Sequence, residues 1–178
     1  MRIALALLLC CTVARADPPR WRVRASLVQG FGGGRAADDS MAARFPTMLE
    51  LGARLWGPLS LDATVTGTLA AEYDTSCGQP IRPNAIAGAL GIRADLANGR
   101  SSPWVDPWVE VHGGVGAQSG AHEVPGACPT AATFGTAGAR AGLDAWLGRT
   151  AVTVGIGFDY LPLGPSASFL LGATVVLF

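Results

Sequence analysis

The stretch LSLDATVTGTLAAEY, residues 59–73, alternates between apolar and polar side chains over nearly its whole length. The odd positions from Leu59 to Tyr73 are aliphatic, small or aromatic, whereas the even positions include Asp62, several threonines and Glu72. Successive side chains of a β-strand point to opposite faces, so this stretch predicts a strand with one apolar and one polar face. It is longer than the about 5–6 residues usual for strands in globular proteins, which raises the question of what the apolar face contacts.

Seven further segments have the same kind of pattern, and turn signals separate them. They are residues 21–27, 47–56, 85–96, 104–118, 134–147, 150–160 and 167–178. No segment has a convincing helical periodicity, so the chain is predicted to be all-β with eight strands. Pro107 lacks the N–H that a β-ladder uses, so the fifth strand is expected to begin only at Trp108 or to contain a bulge.

The charged residues follow the same alternation. In each of the first six predicted strands the two charged residues have the same parity, and no predicted strand has a charge on its opposite face. Because side chains of equal parity share a face of a strand, all eight strands together predict one continuous uncharged surface.

The connections and the aromatic residues indicate what that surface contacts. The connections alternate in length along the chain. The short ones are residues 57–58, 98–103 and 148–149, and the longer ones are 32–45, 74–83, 119–133 and, shortest of these, 161–166. Short turns on one side and long loops on the other are typical of outer-membrane barrels. Aromatic residues flank the strands and predict two girdles at membrane–water interfaces, so the apolar face is predicted to contact lipid. Trp21, Trp56, Trp104 and Trp146 lie beside the short turns or the chain start, and Phe31, Phe45, Tyr73, Phe134, Tyr160 and Phe169 lie toward the opposite strand ends.

The first sixteen residues have the features of a secretory signal peptide. Arg2 precedes a short apolar run at 3–13, and Ala14-Arg15-Ala16 matches a small-x-small cleavage site. The run is shorter than the about 20 apolar residues that a membrane-spanning helix needs. Residues 17–178 are then one domain, and the formal net charge of zero excludes a broad electrostatic attraction to nucleic acid.

Together these features resemble the small eight-stranded outer-membrane β-barrels of the OmpA/OmpX type, as a pattern over the whole mature chain. The resemblance implies an eight-stranded antiparallel up-and-down transmembrane β-barrel in a Gram-negative bacterial outer membrane. It also implies contact with outer-membrane lipid and recognition of the terminal Phe178 by the outer-membrane assembly machinery. Counting back by twos from Phe178 gives Val176, Thr174, Gly172 and Leu170, a weaker apolar series than the family usually has.

The charged parity would face a narrow lumen, because an eight-stranded barrel is only wide enough for its own side chains to fill. Arginine keeps its charge, so each inward arginine must be paired or hydrated. We predict that an Arg/Asp/Glu network plugs the lumen. Its predicted members are Arg22, Arg24, Glu50, Arg54, Asp62, Glu72, Arg93, Asp95, Asp106, Glu110, Arg140, Asp144 and Asp159.

With the lumen plugged, the predicted role is structural or one of surface interaction through the long extracellular loops, whose partners the sequence does not identify. Two other functions stay open. The inward acids outnumber the inward bases and many inward residues are small, which would suit a narrow, mildly cation-preferring pore, the small residues being Ala85, Ala87, Ala89, Gly91, Gly114, Gly116, Gly138 and Gly142. A soluble exported lipocalin-like barrel, with its apolar face inward around a small apolar ligand, would show the same alternation.

Two cysteines remain after signal removal, Cys77 and Cys128, in the second and third long loops. Both loops lie on the same side of the predicted barrel, in an oxidising compartment, so we predict a disulfide between them.

No residue set predicts an enzyme, a cofactor or a metal site. His112 should point inward beside Glu110, and His122 is expected in the third long loop, next to Glu123. Loop adjacency does not place a nucleophile and a base within hydrogen-bond reach, and no Cys or His pair has metal-ligand spacing. Gly30–Gly34 lacks the Lys-Ser/Thr of a phosphate loop, so we predict a flexible loop entrance there.

Overall fold

The computed structural model describes residues 23–35, 41–70, 84–97, 104–122, 130–161 and 164–177. Eight antiparallel strands form a closed barrel in chain order, in which the last strand pairs with the first. The strands are β1 (Val23–Arg35), β2 (Met41–Trp56), β3 (Leu59–Ala70), β4 (Ala85–Asp95), β5 (Val105–His122), β6 (Thr130–Leu147), β7 (Thr150–Leu161) and β8 (Gly164–Val176). The predicted all-β, eight-stranded up-and-down barrel is confirmed. Within these ranges no helix is long and apolar enough to cross a membrane.

The barrel has its apolar face outside and its charged face inside. In β3, Leu61, Val65 and Leu69 point outward and are exposed, whereas Ser60 and Asp62 are fully buried. The same alternation continues around the barrel, and every charged strand residue with a described side chain faces the interior. The lipocalin-like alternative is therefore wrong, because it requires the apolar face to point inward.

Tight turns mark one end of the barrel. Gly57 and Gly148 have φ values of 53° and 70°, a left-handed conformation that glycine adopts without a steric penalty, and they join β2 to β3 and β6 to β7. We call this end the turn end, and the opposite end, where β1 leads to β2 and β5 leads to β6, the loop end.

Several strands extend further toward the loop end than predicted. Pairing of β1 with β2 continues from Gly32↔Arg44 to Arg35↔Met41, so the predicted loop entrance at Gly30–Gly34 is strand instead. A Cβ on Gly32 would collide with the backbone of Ala167 and Ser168 in β8, so glycine permits this close approach. His122 likewise ends β5, paired with Thr130 after a register shift, rather than lying in a loop.

Pro107 lies inside β5 without a bulge, so the strand begins at Val105, not at Trp108 as expected. The carbonyl oxygen of Pro107 accepts a hydrogen bond from Leu96 N at 2.7 Å, which points this residue toward the β4 side. In an antiparallel pair the N–H and C=O of one residue point to the same neighbour. Because Pro107 points toward β4, its missing N–H removes no bond of the β5–β6 ladder. Because β4 has ended at Asp95, it removes none from the β4–β5 ladder either.

The aromatic girdles are only partly as predicted. At the loop end Phe31, Phe45, Tyr160 and Phe169 are exposed on the outer surface, together with Phe158, and at the turn end Trp56 is 80% exposed. Phe134 lines the lumen, and Trp146 is buried inside because it shares the parity of Asp144. Trp21 and Tyr73 lie outside the described residues.

In the last strand the outward-facing residues are the odd-numbered ones, not the even-numbered ones counted back from Phe178. Leu171, Val175 and Leu177 are exposed outside, whereas Thr174 and Val176 are buried inside. The weak series counted from Phe178 is therefore the inward one, and the outward series is apolar. Phe178 itself lies outside the described residues.

Candidate functional site

The predicted charged residues line the interior of the barrel, where the structure describes them. Each of them has the inward parity of its strand, for example Arg24 on β1, Arg93 and Asp95 on β4 and Glu110 on β5. Those that are at most 2% exposed are Arg24, Asp62, Arg93, Asp95, Glu110 and Asp144, and those in partly exposed positions are Arg54, Asp106 and Asp159. Glu50 and Arg140 are buried as well. Arg22 and Glu72 lie outside the described residues.

Near the turn end, Arg93 is the centre of one ion-pair group, which we call the Arg93 cluster. Its Nε contacts Asp95 Oδ1 at 2.8 Å, its second terminal nitrogen contacts Asp144 Oδ2, and its guanidinium lies 4.5 Å from the centroid of the Trp108 ring. Trp108 Nε1 donates to Asp144 Oδ1 at 3.2 Å, and Arg54 contacts Asp95 at 3.1 Å. The cation is thus held by two carboxylates and an aromatic face.

Asp106 does not join this cluster. Its Oδ1 accepts a hydrogen bond from the backbone N–H of Ala97 at 3.2 Å, and among the described residues it makes no ion pair. Parity placed it correctly on the inner face, but its position at the start of β5 leaves it at the rim of the turn end.

At mid-height a second group, the Glu50 cluster, joins five strands. Arg24 contacts Asp62 at 2.7 Å and Glu50 at 3.1 Å, and Arg140 contacts Glu110 at 3.4 Å and Glu50 at 3.7 Å. The three carboxyl groups each bring one oxygen within 4.8 Å of the others, a spacing that could hold a metal ion. Two guanidinium groups contact all three of these acids, so we interpret the group as ion pairs.

Sequence reasoning missed this convergence of Glu50, Asp62 and Glu110. The three residues lie on β2, β3 and β5, and only the stagger between strands brings them to one height. No local spacing in the sequence carries that information.

His112 connects the Glu50 cluster to the loop half of the lumen. Its Nε2 lies 2.7 Å from Asp159 Oδ1, and its Nδ1 lies 3.4 Å from Glu110 Oε1. The ring points inward, as its parity predicted, but the bridge between two carboxylates was not foreseen.

A chain of hydroxyl groups crosses the contact between the first and last strands. Ser26 Oγ lies 2.9 Å from Thr174 Oγ1, which lies 3.0 Å from Thr153 Oγ1. Thr153 donates in turn to Asp144 Oδ1 at 2.8 Å. This hydroxyl chain ties β1, β8 and β7 to the Arg93 cluster.

A larger and a smaller cavity lie in the lumen among the described residues, with about 610 Å³ and about 270 Å³ of empty space, part of it open to solvent. The larger one fills the loop half, and we call it the vestibule. The smaller one, the inner cavity, lies between the two ion-pair clusters and is lined by Arg24, Glu50, Arg93 and Trp108, among others. Met48 and Arg140 line both cavities and so separate them.

Most inward glycines do not leave the open space that a pore would need. A Cβ on Gly138 would collide with His112 Nε2 and Asp159 Oδ1, and one on Gly142 would collide with the ring of Trp108. These glycines make room for the large side chains of neighbouring strands. The alanines Ala85, Ala87 and Ala89 do border open space, because they line the vestibule.

Comparisons with known proteins support the fold. The structure is similar to Neisserial surface protein A (NspA), with a TM-score of 0.69 and 12% sequence identity over 87% of this chain and 97% of that one. It is also similar to Ail, the attachment invasion locus protein of Yersinia pestis, solved with the heparin analogue sucrose octasulfate, with a TM-score of 0.57 and 12% identity over 86% of this chain and 98% of that one. No family model and no curated protein matches the sequence. The chain thus has the fold of the small eight-stranded outer-membrane β-barrels of the OmpA/OmpX type.

Proposed function

We propose that the protein is an integral β-barrel of a Gram-negative outer membrane, with a closed lumen and a role at the cell surface exerted through its loop end. The observation that carries the proposal is the outer surface, on which aliphatic side chains are exposed around the barrel and no charged strand side chain points outward among the described residues. In water such a surface would drive aggregation, whereas in a bilayer it is the expected lipid-facing band.

The strand lengths agree with this location. Every strand has 11 or more residues, and a tilted membrane-spanning strand needs about 9–11. In this proposal residues 1–16 are the signal peptide that directs export, and Phe178 is recognised by the outer-membrane assembly machinery. The exposed Phe31, Phe45, Tyr160 and Phe169 lie at the outer interface.

The closed lumen is supported by the Arg93 cluster. Arg93, Asp95, Asp144 and Trp108 lie across the turn half of the interior, and each is at most 4% exposed. Opening a path for ions would require separating buried opposite charges, which is costly because each would be left unpaired. The narrow cation-preferring pore is therefore the second candidate, favoured only by the excess of inward acids over inward bases.

We assign no enzymatic activity to the barrel. His112 is the described interior histidine, and both its ring nitrogens face carboxylates, at 2.7 Å and 3.4 Å. This arrangement fits a structural bridge between Asp159 and Glu110. A surface role agrees with the fold, since the neighbours include a protein named as a surface protein and one named for attachment and invasion.

The location is tested by fractionating cells and running the membrane fraction on a gel with and without boiling. A folded barrel in the outer membrane is expected to migrate differently before and after boiling. Recovery of the protein in the soluble fraction, with no heat-dependent shift, would overturn the proposal.

The closed lumen is tested separately, by recording ion flux in liposomes that contain the refolded protein. Insertion is verified first by protection from added protease, and the wild-type protein is then expected to be silent. The double variant R93A/D144A removes both partners of one ion pair. Conductance that appears only in this variant would show that the Arg93 cluster closes the lumen to ions. Conductance of the wild-type barrel would favour the pore instead.

A further inference from the structure

The vestibule has the lining of a small-molecule site. Its about 610 Å³ of empty space includes volume open to solvent, and apolar walls with a few convergent polar groups are typical of ligand pockets. One wall is formed by Ala85, Ala87 and Ala89 of β4, and the ring of Phe134 lies on β6. The polar groups converge on the inner side, at His112, Arg140 and Asp159, so the pocket is apolar along its walls and charged at its inner end.

Exposure decides which of these charges a ligand would meet. Among the described residues that line the vestibule, Arg44, His112 and Arg140 are buried, at 6%, 7% and 5% exposed. The side chain of Asp159 is 21% exposed, whereas that of His112 is 2% and that of Arg140 is 4%. The accessible charge at the inner end of the vestibule is therefore negative.

The contacts of Asp159 with other described side chains involve one of its two carboxylate oxygens. Its Oδ1 takes the contact from His112 Nε2 at 2.7 Å and the longer one from Arg140 at 3.9 Å. Its Oδ2 makes no hydrogen bond or ion pair with any part of the chain that the structure describes. Arg140, in contrast, is shared among Glu50, Glu110 and Asp159, so its positive charge is already balanced by acids on three strands.

We propose that the vestibule binds a small organic ammonium ion, with the ammonium group on Asp159 Oδ2 and a short apolar chain against Phe134 and the β4 alanines. A primary ammonium has three N–H donors, of which Asp159 Oδ2 can accept one in a charge-assisted hydrogen bond, and an aromatic ring adds a favourable face for a cation. An inorganic cation would gain nothing from the alanine wall.

This inference goes beyond the proposed function and depends on it only for the side of the membrane from which the ligand enters. The test uses the mature chain refolded in micelles of an uncharged detergent, with amide chemical shifts followed by NMR. The probe is n-butylammonium chloride, and the matched controls are sodium butyrate and 1-butanol, which have the same chain with a negative or a neutral end. We expect saturable shifts at residues 85–89, 134 and 159 with butylammonium, with a dissociation constant on the order of 1 mM.

Two variants and a control make the result specific. Asp159→Asn keeps the shape and removes the charge, so binding should weaken about tenfold or more, as expected for loss of a hydrogen bond to a charged group. Asp106→Asn changes an acid at the turn end and should leave binding unchanged. Ala87→Phe fills the vestibule without altering a charge, so it keeps the test decisive if D159N does not show the heat-dependent shift of a folded barrel.

Saturable binding of butylammonium that is lost in folded D159N, or in A87F where D159N does not fold, supports the proposal. Saturable binding of butyrate at the same residues, binding of butylammonium that folded D159N retains, or no saturable shift with any probe would each overturn it. A folded, membrane-inserted barrel that binds none of the probes would leave the proposed function intact and remove only this inference.

Discussion

Arg93 illustrates how a residue that keeps its charge is accommodated inside a narrow barrel. The guanidinium is 2% exposed, yet it reaches carboxylates on its own strand and on β6, and the indole of Trp108 covers it. Burial of a charge is tolerated only when such partners are complete. The network therefore depends on each member far more than a surface ion pair would.

Replacing Arg93 by methionine is expected to lower the free energy of unfolding by about 3–5 kcal/mol, because Asp144 loses its guanidinium partner while buried. The measurement is urea-induced unfolding of the barrel in lipid vesicles. Arg54→Met is the matched control: its side chain is 29% exposed and contacts the same Asp95, so a loss of about 1 kcal/mol or less is expected. Equal losses in the two variants would contradict the assigned role of burial.

Gly142 is expected to be irreplaceable for a steric reason. A Cβ at this position would collide with the ring of Trp108 and with the backbone carbonyl of Val154, so Gly142→Val should cost about 1–3 kcal/mol of unfolding free energy. Gly88 offers the comparison, because a Cβ there meets nothing within 4 Å. In the same urea titration Gly88→Ala should be neutral or slightly stabilising, and a larger loss for Gly88→Ala than for Gly142→Val would refute the packing argument.

At the scale of the strand, the two-residue period accounts for most of what the sequence predicted. Parity alone placed Arg24, Asp62 and Arg140 inside and Val65 outside, because a strand with one charged face has no other low-energy orientation in a barrel. The prediction for Trp146 was wrong, because it used the position of the residue near a turn and not its parity. Trp146 was placed in a girdle and is in fact buried. An inward ring at a strand end packs the lumen, whatever its height.

The pattern within one strand does not determine how far that strand is shifted along its neighbour. The meeting of Glu50, Asp62 and Glu110 depends on three strand pairings, each of which could shift by two residues without changing which face is charged. The loop-end strand limits were missed for a related reason: the glycines of β1 looked like a loop signal, but they allow β8 to approach closely.

The outer face of β3 gives a test of the lipid contact at this scale. Val65 lies near the middle of the strand and is 54% exposed, so Val65→Arg should cost about 2–4 kcal/mol of stability in a bilayer, as expected for a charge near the membrane midplane. Thr150→Arg, at the exposed start of β7 beside a tight turn, should cost about 1 kcal/mol or less. Vesicle unfolding measurements that find the two arginines equally tolerated would argue against a lipid-facing belt.

At the scale of the whole molecule, the predicted disulfide would link two connections at the loop end. Cys77 and Cys128 lie outside the described residues, but β4 and β5 pair from Ala85↔Gln118 to Asp95↔Trp108 and so already hold the segments between them together. We expect the chain-entropy gain of about 4 kcal/mol for a loop of this length to be largely lost for that reason.

The existence of the disulfide is tested by thiol titration of the mature protein, denatured with and without reductant. Neither Cys77 nor Cys128 should react without reductant, and both should react with it. Equal reactivity in the two samples would disprove the bond. A Cys77→Ser/Cys128→Ser variant should still show the heat-dependent gel shift, since the barrel pairing does not need the link.

The pairing of β8 with β1 brings together residues from opposite ends of the chain, such as Ser26 and Thr174. A contact of such high sequence separation forms late and slowly, because the entropy of closing the longest possible loop opposes it until the rest of the sheet has formed. Before that step two strand edges expose unpaired N–H and C=O groups, which hydrocarbon cannot solvate. Folding should therefore be all-or-none, and a nascent chain that lacks its final strand should have no stable inserted form.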